Sequence, residues 1–230
     1  MAQSAVLVGM MGSGKTTVGQ AAAERLGWRF LDSDLQVEER TGRTVEQIWR
    51  EEGERGFRHL ETEALADALD TASDDPVVVA AAGGVVLNPD NRVLLKSHPP
   101  VVWLRARPET LAHRVGTGSG RPLLAGDPAG ALVRLSEERR PYYEDVADTI
   151  IDVDDLSPGE VVDRVLEVAR APVERAAVDA PDEAPEWEPA VAEAAPHRAE
   201  ARAAEEAEEA EEAEEAATDD PAAPEAEEDE

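Results

Sequence analysis

The sequence predicts an α/β fold, doubly wound in three layers around a five-stranded parallel sheet, followed by a disordered acidic C-terminal tail. Three observations predict it. Short apolar runs alternate with segments of helical length through residue 170. The runs are nearly continuous and lack period-2 polarity, as strands buried on both faces of a parallel sheet do. Past Arg170 the alternation stops and the composition turns to Ala, Glu and Pro.

The expected strands are Ser4–Val8, Trp28–Leu31, Val77–Ala82, Val101–Leu104 and Thr149–Val153. The expected helices are Lys15–Leu26, Val45–Glu52, Phe57–Leu69, Asn91–Lys96, Pro108–Val115, Pro128–Asp145 and Pro158–Arg170. The last has Ser157 as N-cap, Pro158 at its first position and Glu160 three residues after the cap, a capping box. Alternation of this kind predicts parallel strands joined by helical crossovers.

Charge divides the chain in the same place. Residues 171–230 hold 23 acidic residues against 3 arginines, and residues 1–170 hold 29 against 19 basic ones. The first segment, 1–170, reads as a moderately acidic domain, large enough to bury about 70% of its unfolded surface. The second, 171–230, reads as a disordered tail. Pro172, Pro181, Pro185, Pro189 and Pro196 break any long helix, and Glu205–Ala216 repeats Glu-Glu-Ala four times with no apolar face to bury. Such a tail is a self-repelling, solubilising extension or a docking segment for a basic partner, which the sequence does not identify.

Composition excludes several classes. No cysteine is present, so disulfides, thiolate catalysis and Cys-based zinc sites are out, which fits a reducing cytoplasm. No basic stretch could neutralise several phosphates of a nucleic acid. No apolar run approaches the ~20 residues needed to span a bilayer, and the N-terminus runs into a strand without the basic start of a signal peptide. The chain is expected to act as a cytoplasmic monomer, with neither nucleic acid nor membrane as partner.

The strongest motif is Gly9-Met10-Met11-Gly12-Ser13-Gly14-Lys15-Thr16, which fits G-x-x-x-x-G-K-[ST] between a strand and a helix. Glycines let the backbone turn so that N–H groups face phosphate oxygens, and the helix N-terminus adds partial positive charge. Gly12, Ser13, Gly14, Lys15, Thr16 and Thr17 are expected to hold ATP. Lys15 reaches the β- and γ-phosphates, and Thr16 ligates Mg²⁺. The motif points to a bound nucleotide and leaves the acceptor open. Asp32-Ser33-Asp34 ends the second strand, where a parallel sheet faces its ligand crevice. Two aspartates at i and i+2 point the same way if the strand continues, one to the metal and one to an acceptor. The same tripeptide also reads as a helix cap for the segment starting at Leu35.

These segments, together with Gly53-Glu54-Arg55-Gly56-Phe57-Arg58, Gly83-Gly84, Arg121-Pro122-Leu123-Leu124 and Arg139-Arg140-Pro141-Tyr142-Tyr143, resemble shikimate kinase. The resemblance covers roughly residues 4–170. It implies ATP- and Mg²⁺-dependent phosphorylation of the 3-hydroxyl of shikimate, on the way to chorismate. By similarity Asp32 binds the Mg²⁺ shell, and Asp34 holds the ring hydroxyls and orients or deprotonates the acceptor. Arg58 and Arg139 bind the carboxylate, and Gly83-Gly84 lines the pocket. Arg121 reaches the phosphates from a lid, and Arg114 lies against adenine. Lys15, Asp34 and Arg121 form the implied catalytic set.

The residues agree with that reading. An acidic domain needs local arginines to bind a carboxylate, and guanidinium pairs with it bidentately. From position alone, Arg58 and Arg139 also read as surface arginines, and the glycine-rich Gly116–Pro122 reads as a mobile lid or a plain loop. Two departures stand out. Ala82 replaces the first of three family glycines, where its methyl could narrow the pocket. Asp154-Asp155-Leu156 stands where the family often has an arginine near adenine. The competing readings are another small-molecule kinase, for gluconate or a nucleoside monophosphate, and a nucleotide-binding module acting through its tail.

Overall fold

The computed structural model describes residues 4–118 and 121–171. Apart from Ala171, the expected tail lies outside the described residues, as do Ser119 and Gly120 of the expected lid.

Strands form where the apolar runs fall: β1 (Ser4–Val8), β2 (Arg29–Asp32), β3 (Val77–Ala80), β4 (Val101–Arg105) and β5 (Thr149–Asp152). They make one parallel sheet in the order β2-β3-β1-β4-β5. Val6 in the central strand pairs with Val79 on one side and Val101 on the other. All four residues of β3 are buried. Its backbone groups have no water to bond, so the ladder is their only partner, and its valines fit the pleated surface.

Seven helices are described: α1 (Lys15–Leu26), α2 (Ser33–Thr41), α3 (Val45–Asp74), α4 (Pro89–Lys96), α5 (Pro108–Val115), α6 (Pro128–Val146) and α7 (Pro158–Arg170). Strand periodicity sorts the sheet's side chains into two cores. Val6, Val8, Val77 and Val79 pack with Leu65 and Leu69 of α3, Leu95 of α4 and Leu132 of α6. On the other face Leu7, Val78, Val102 and Leu104 pack with Val18 and Ala22 of α1 and Val161 and Val165 of α7. Each fully buried Val or Leu contributes about 1.5–3 kcal/mol. The three expected layers are therefore present.

The expected capping box forms at α7: Ser157 Oγ accepts from Glu160 N, and Glu160 Oε2 accepts from Ser157 N at 2.8 Å. The two helices expected at Val45–Glu52 and Phe57–Leu69 both form; they are the arms of α3, separated by a non-helical break at Gly53 (φ 70°, ψ −174°). One expectation needs correction: the expected helices do not include α2, whose sequence is mostly polar and buries only Ser33 and Val37. An apolar-periodicity reading has little to detect there.

Topology places the crevice. The connection from β1 leads toward β2 on one side, and that from β4 leads toward β5 on the other. In an open parallel sheet such a divergence opens a ligand crevice beyond the carboxyl ends of the two strands. The glycine-rich turn after β1 lies there.

Candidate active site

The turn begins with Gly9 at φ 144°, and a Cβ there would come within 2.6 Å of the Leu104 carbonyl oxygen of β4. Close packing against the neighbouring strand thus requires glycine. Gly14 precedes α1 in the left-handed region (φ 100°, ψ 11°), with no side-chain cap bond and no acidic residue in the first turn. The first N–H groups of α1 are left for an anionic ligand, which the helix dipole favours.

Lys15 Nζ donates to the carbonyls of Gly9 (2.9 Å) and Met10 (3.1 Å). Burial pushes its ammonium below the ordinary lysine range, and the charges of Asp34 and Asp32 partly offset that. Thr16 Oγ1 donates to Asp32 Oδ2 at 2.7 Å. The other oxygen, Asp32 Oδ1, accepts from Asp34 N (3.0 Å) and Leu35 N (3.4 Å). One carboxylate therefore caps α2 and meets the P-loop threonine.

The expected strand geometry of Asp32 and Asp34 is corrected here. β2 ends at Asp32, and Asp34 belongs to the first turn of α2. The strand-to-helix turn, not strand alternation, brings both carboxylates to the same cavity. Asp34 is pushed up to about 7, first by burial, then by the negative charges of Glu61 and Asp32, with Lys15 opposing.

The opposite wall is built from α3, α6 and the turn after β3. Arg58 Nη1 donates to Glu61 Oε2 at 2.5 Å, and Nη2 to Glu54 Oε1 at 3.1 Å. Its guanidinium also lies 5.9 Å from the Trp49 ring centre and 5.7 Å from that of Phe57. Glu61 is buried, and burial raises its carboxyl while Arg58 lowers it. Arg139 is 2% exposed and donates through Nη1 to the Gly83 carbonyl at 3.1 Å. Its buried Nε has no hydrogen-bond partner among the described residues. A Cβ on Gly84 would fall 1.8 Å from Arg58 Nη1, so glycine there is what admits the guanidinium.

These walls enclose a cavity of about 500 Å³. It brings together Gly12, Gly14, Lys15, Thr16 and Thr17 with Asp32, Asp34, Arg58, Gly83, Gly84, Arg114, Arg121 and Arg139. Ser13 alone among the expected residues does not line it; its hydroxyl is buried within the loop without a partner among the described residues. Arg114 donates through Nη2 to Val153 O at 3.0 Å and through Nη1 to Gly12 O at 3.5 Å, which sets it between the P-loop and the end of β5. Arg121 is exposed and precedes the 3-10 turn Pro122–Leu124.

Both departures noted in the sequence have structural accounts. The Ala82 methyl packs in the core and does not line the cavity, while Ala82 N donates to Ser33 Oγ at 2.8 Å. The expected narrowing does not occur. Asp154 accepts from Arg107 N at 3.0 Å and pairs with Arg107 Nε at 3.4 Å, and Leu156 packs against the α1–α7 core. That segment ties the start of α5 to β5.

The family model described as shikimate kinase matches residues 11–170. The chain belongs to the shikimate kinase family. A shikimate kinase of Symbiobacterium thermophilum is 48% identical over 166 residues, covering 70% of this chain and 93% of the relative. That of Moorella thermoacetica is 45% identical and covers 72% and 94%. Among solved structures, shikimate kinase from Acinetobacter baumannii in complex with shikimate is 37% identical with a TM-score of 0.69, covering 73% of this chain and 92% of that one. The Aquifex aeolicus shikimate kinase is 33% identical with a TM-score of 0.62, covering 72% and 95%. Membership in the shikimate kinase family makes the chain an ATP-dependent phosphotransferase with the α/β P-loop kinase fold that its sequence predicts.

Sequence reading missed Glu61, Trp49 and Phe57 as neighbours of Arg58, and it quoted Tyr143 without a role. Glu61 had a usable signal: it stands three residues after Arg58 on an expected helix, where opposite charges meet. The aromatic neighbours had none, because the kink at Gly53 brings Trp49 back toward Arg58.

Proposed function

We propose that this chain transfers the γ-phosphoryl group of ATP to the 3-hydroxyl of shikimate, giving ADP and shikimate 3-phosphate. Asp34, Arg58, Arg139 and the Gly83–Gly84 backbone hold the acceptor. One observation carries this reading: a phosphate cradle faces two guanidiniums and one aspartate within a single cavity. Two arginines suit a carboxylate, and an aspartate suits hydroxyls.

Phosphoryl transfer is mostly positioning and electrostatics. The N–H groups of the P-loop and α1 hold the phosphate chain, and Lys15 exchanges its carbonyl partners for phosphate oxygens. Asp34 accepts a hydrogen bond from the attacking hydroxyl and takes its proton. A carboxyl raised to about 7 is suited to that exchange near neutral pH. Arg121 reaches the transferring group from the rim, and Arg114 flanks the adenine.

Thr16 and Asp32 fit Mg²⁺. They offer only oxygen atoms, paired at 2.7 Å beside the cradle, and a hard cation prefers such donors. No group of three or more His, Cys, Asp or Glu side chains arranged to hold a metal occurs among the described residues, so the nucleotide phosphates would complete the shell. When bound, the ion neutralises phosphate charge.

ADP release should depend on shikimate and Mg²⁺. A coupled assay comparing shikimate, gluconate and nucleoside monophosphates tests the reading; faster turnover of either alternative at equal concentration overturns it. On the same reading residues 1–170 form a monomeric cytoplasmic kinase domain and 171–230 an appended tail. The cavity is complete within one chain, and no helix among the described residues is long and apolar enough to cross a membrane. A chain ending at Arg170, where α7 ends, should keep its activity and its unfolding midpoint.

A further inference from the structure

The carbonyl of Gly83 is held by two donors. Arg139 Nη1 reaches it at 3.1 Å and the Tyr143 hydroxyl at 2.7 Å. The two stand four residues apart on α6, hence on one face of the helix. A carbonyl oxygen has two lone pairs, and here both are engaged. Tyr143 is buried, and its ring stacks on Trp103 of β4 with centroids 5.4 Å apart and planes at 23°. Packing therefore fixes where the hydroxyl points. Burial also pushes the phenol up to about 12, so it stays a donor across the working pH range.

What this accomplishes lies across the peptide. The only cis bond described is Pro99–Pro100, so the Gly83–Gly84 peptide is trans and planar. Its N–H, on Gly84, points opposite to the clamped carbonyl. The hydrogen bonds of this turn run from Val85 N to Ala82 O and from Leu87 N to Gly84 O, and do not use the Gly84 N–H. Gly83 and Gly84 both line the cavity, and Gly84 stands against Arg58. A glycine pair is the backbone unit freest to rotate. Were this peptide to turn over, a carbonyl oxygen would face the cavity beside Arg58 in place of a donor.

We infer that Tyr143 is a positioning residue for the acceptor: by clamping the Gly83 carbonyl it keeps the Gly84 N–H aimed at the acceptor's carboxylate. The inference rests on the reading that the cavity takes shikimate. Arg139 cannot fill this role alone, because in that reading its guanidinium turns to the carboxylate as well. Tyr143 does not line the cavity, and its hydroxyl bonds only to the acceptor wall, at the Gly83 carbonyl. Its effect should therefore be confined to one substrate.

The test is Tyr143→Phe in the full chain, which keeps the ring and its stacking on Trp103. Steady-state kinetics in both substrates, a shikimate titration followed by tryptophan fluorescence, and thermal unfolding are measured together. Loss of one buried hydrogen bond predicts a rise of about tenfold in both KM and Kd for shikimate. KM for ATP should stay within about twofold, and unfolding should remain cooperative. An unchanged shikimate KM overturns the inference. So does a parallel rise of both KM values, or a loss of cooperative unfolding, since either marks Tyr143 as a core residue only. If the unaltered chain does not phosphorylate shikimate at all, the parent reading fails instead, and the two failures are distinct.

Discussion

The phosphate cradle takes Gly9 to Thr17 from one uninterrupted stretch, whereas the acceptor wall gathers Asp34, Arg58, Glu61, Gly83, Gly84 and Arg139 from four segments between α2 and α6. The cradle works mainly through backbone: positive φ at Gly9, Gly12 and Gly14, and the open N-terminus of α1. The acceptor wall works through charged side chains, each oriented by another group. Glu61 and Glu54 hold Arg58, the Gly83 carbonyl holds Arg139, and the Asp32 cap places Asp34. A backbone site tolerates changes around it and recognises any phosphate. A site of mutually oriented charges is selective and is sensitive to residues that never touch the ligand.

The largest expected break between the halves is at Asp34. Asp34→Asn keeps the shape and removes the proton acceptor, so kcat should fall by about 10²–10⁴, the usual contribution of a general base. ATP binding, which depends on the cradle, should survive. Asp32→Asn should instead raise the Mg²⁺ requirement, since it alters the carboxylate that meets Thr16. If Asp34→Asn retains near-normal kcat with shikimate, Asp34 serves only the first turn of α2.

Arg58→Met and Arg139→Met come next. Truncating one member of a buried hydrogen-bonded charge pair costs about 2–4 kcal/mol, here in shikimate binding measured by titration. ATP affinity should change far less. Glu61→Gln sharpens the comparison, because Glu61 acts on Arg58: shikimate binding should weaken, but by less than in Arg58→Met. Equal losses for both ligands in any of the three would mean that the two halves are not separable.

The same contrast governs what the sequence made legible. Strands were placed to within a residue or two because each contains an apolar run, nearly all of it buried in the three central strands β1, β3 and β4 and only partly in the edge strands β2 and β5. The cradle was legible as a motif, since its spacing is local and its chemistry requires glycine, lysine and threonine in order, although the Ser13 side chain is turned into the loop and does not line the cavity. Asp34 was legible from its place after the second strand, whereas Arg58 and Arg139 were visible as site residues only through family resemblance, because the fold, not the spacing, brings α3 and α6 together. α2 was legible only in the helix-cap reading of Asp32-Ser33-Asp34, because its sequence is mostly polar. Its presence changed the account of Asp32 and Asp34 from strand neighbours to a cap and a first-turn residue. Glu61 and Tyr143 act on other residues, and an orienting contact of that kind leaves little trace in a single sequence.

The smallest expected effect is in stability, and it sets function against folding at one residue. Asp34 rises from an ordinary 3.8 to about 7 in the folded chain, through burial and the charges of Glu61, Asp32 and Glu38, against Lys15. The folded state therefore binds this proton more tightly than the unfolded state does. Stability falls as pH rises wherever the folded state holds more protons. The penalty is absent below about pH 4, grows between the two values, and is fully present above about pH 7. Asp34→Asn has no charge to bury, so it should unfold several degrees higher than the unaltered chain at pH 8. The difference should shrink toward zero near pH 4. Thermal unfolding of both proteins across pH 4–8 measures it. Substituting a cradle glycine should not reproduce the pattern, because backbone N–H groups carry no titrating charge. A variant that is no more stable than the parent at pH 8 would show that Lys15 already compensates Asp34 in full.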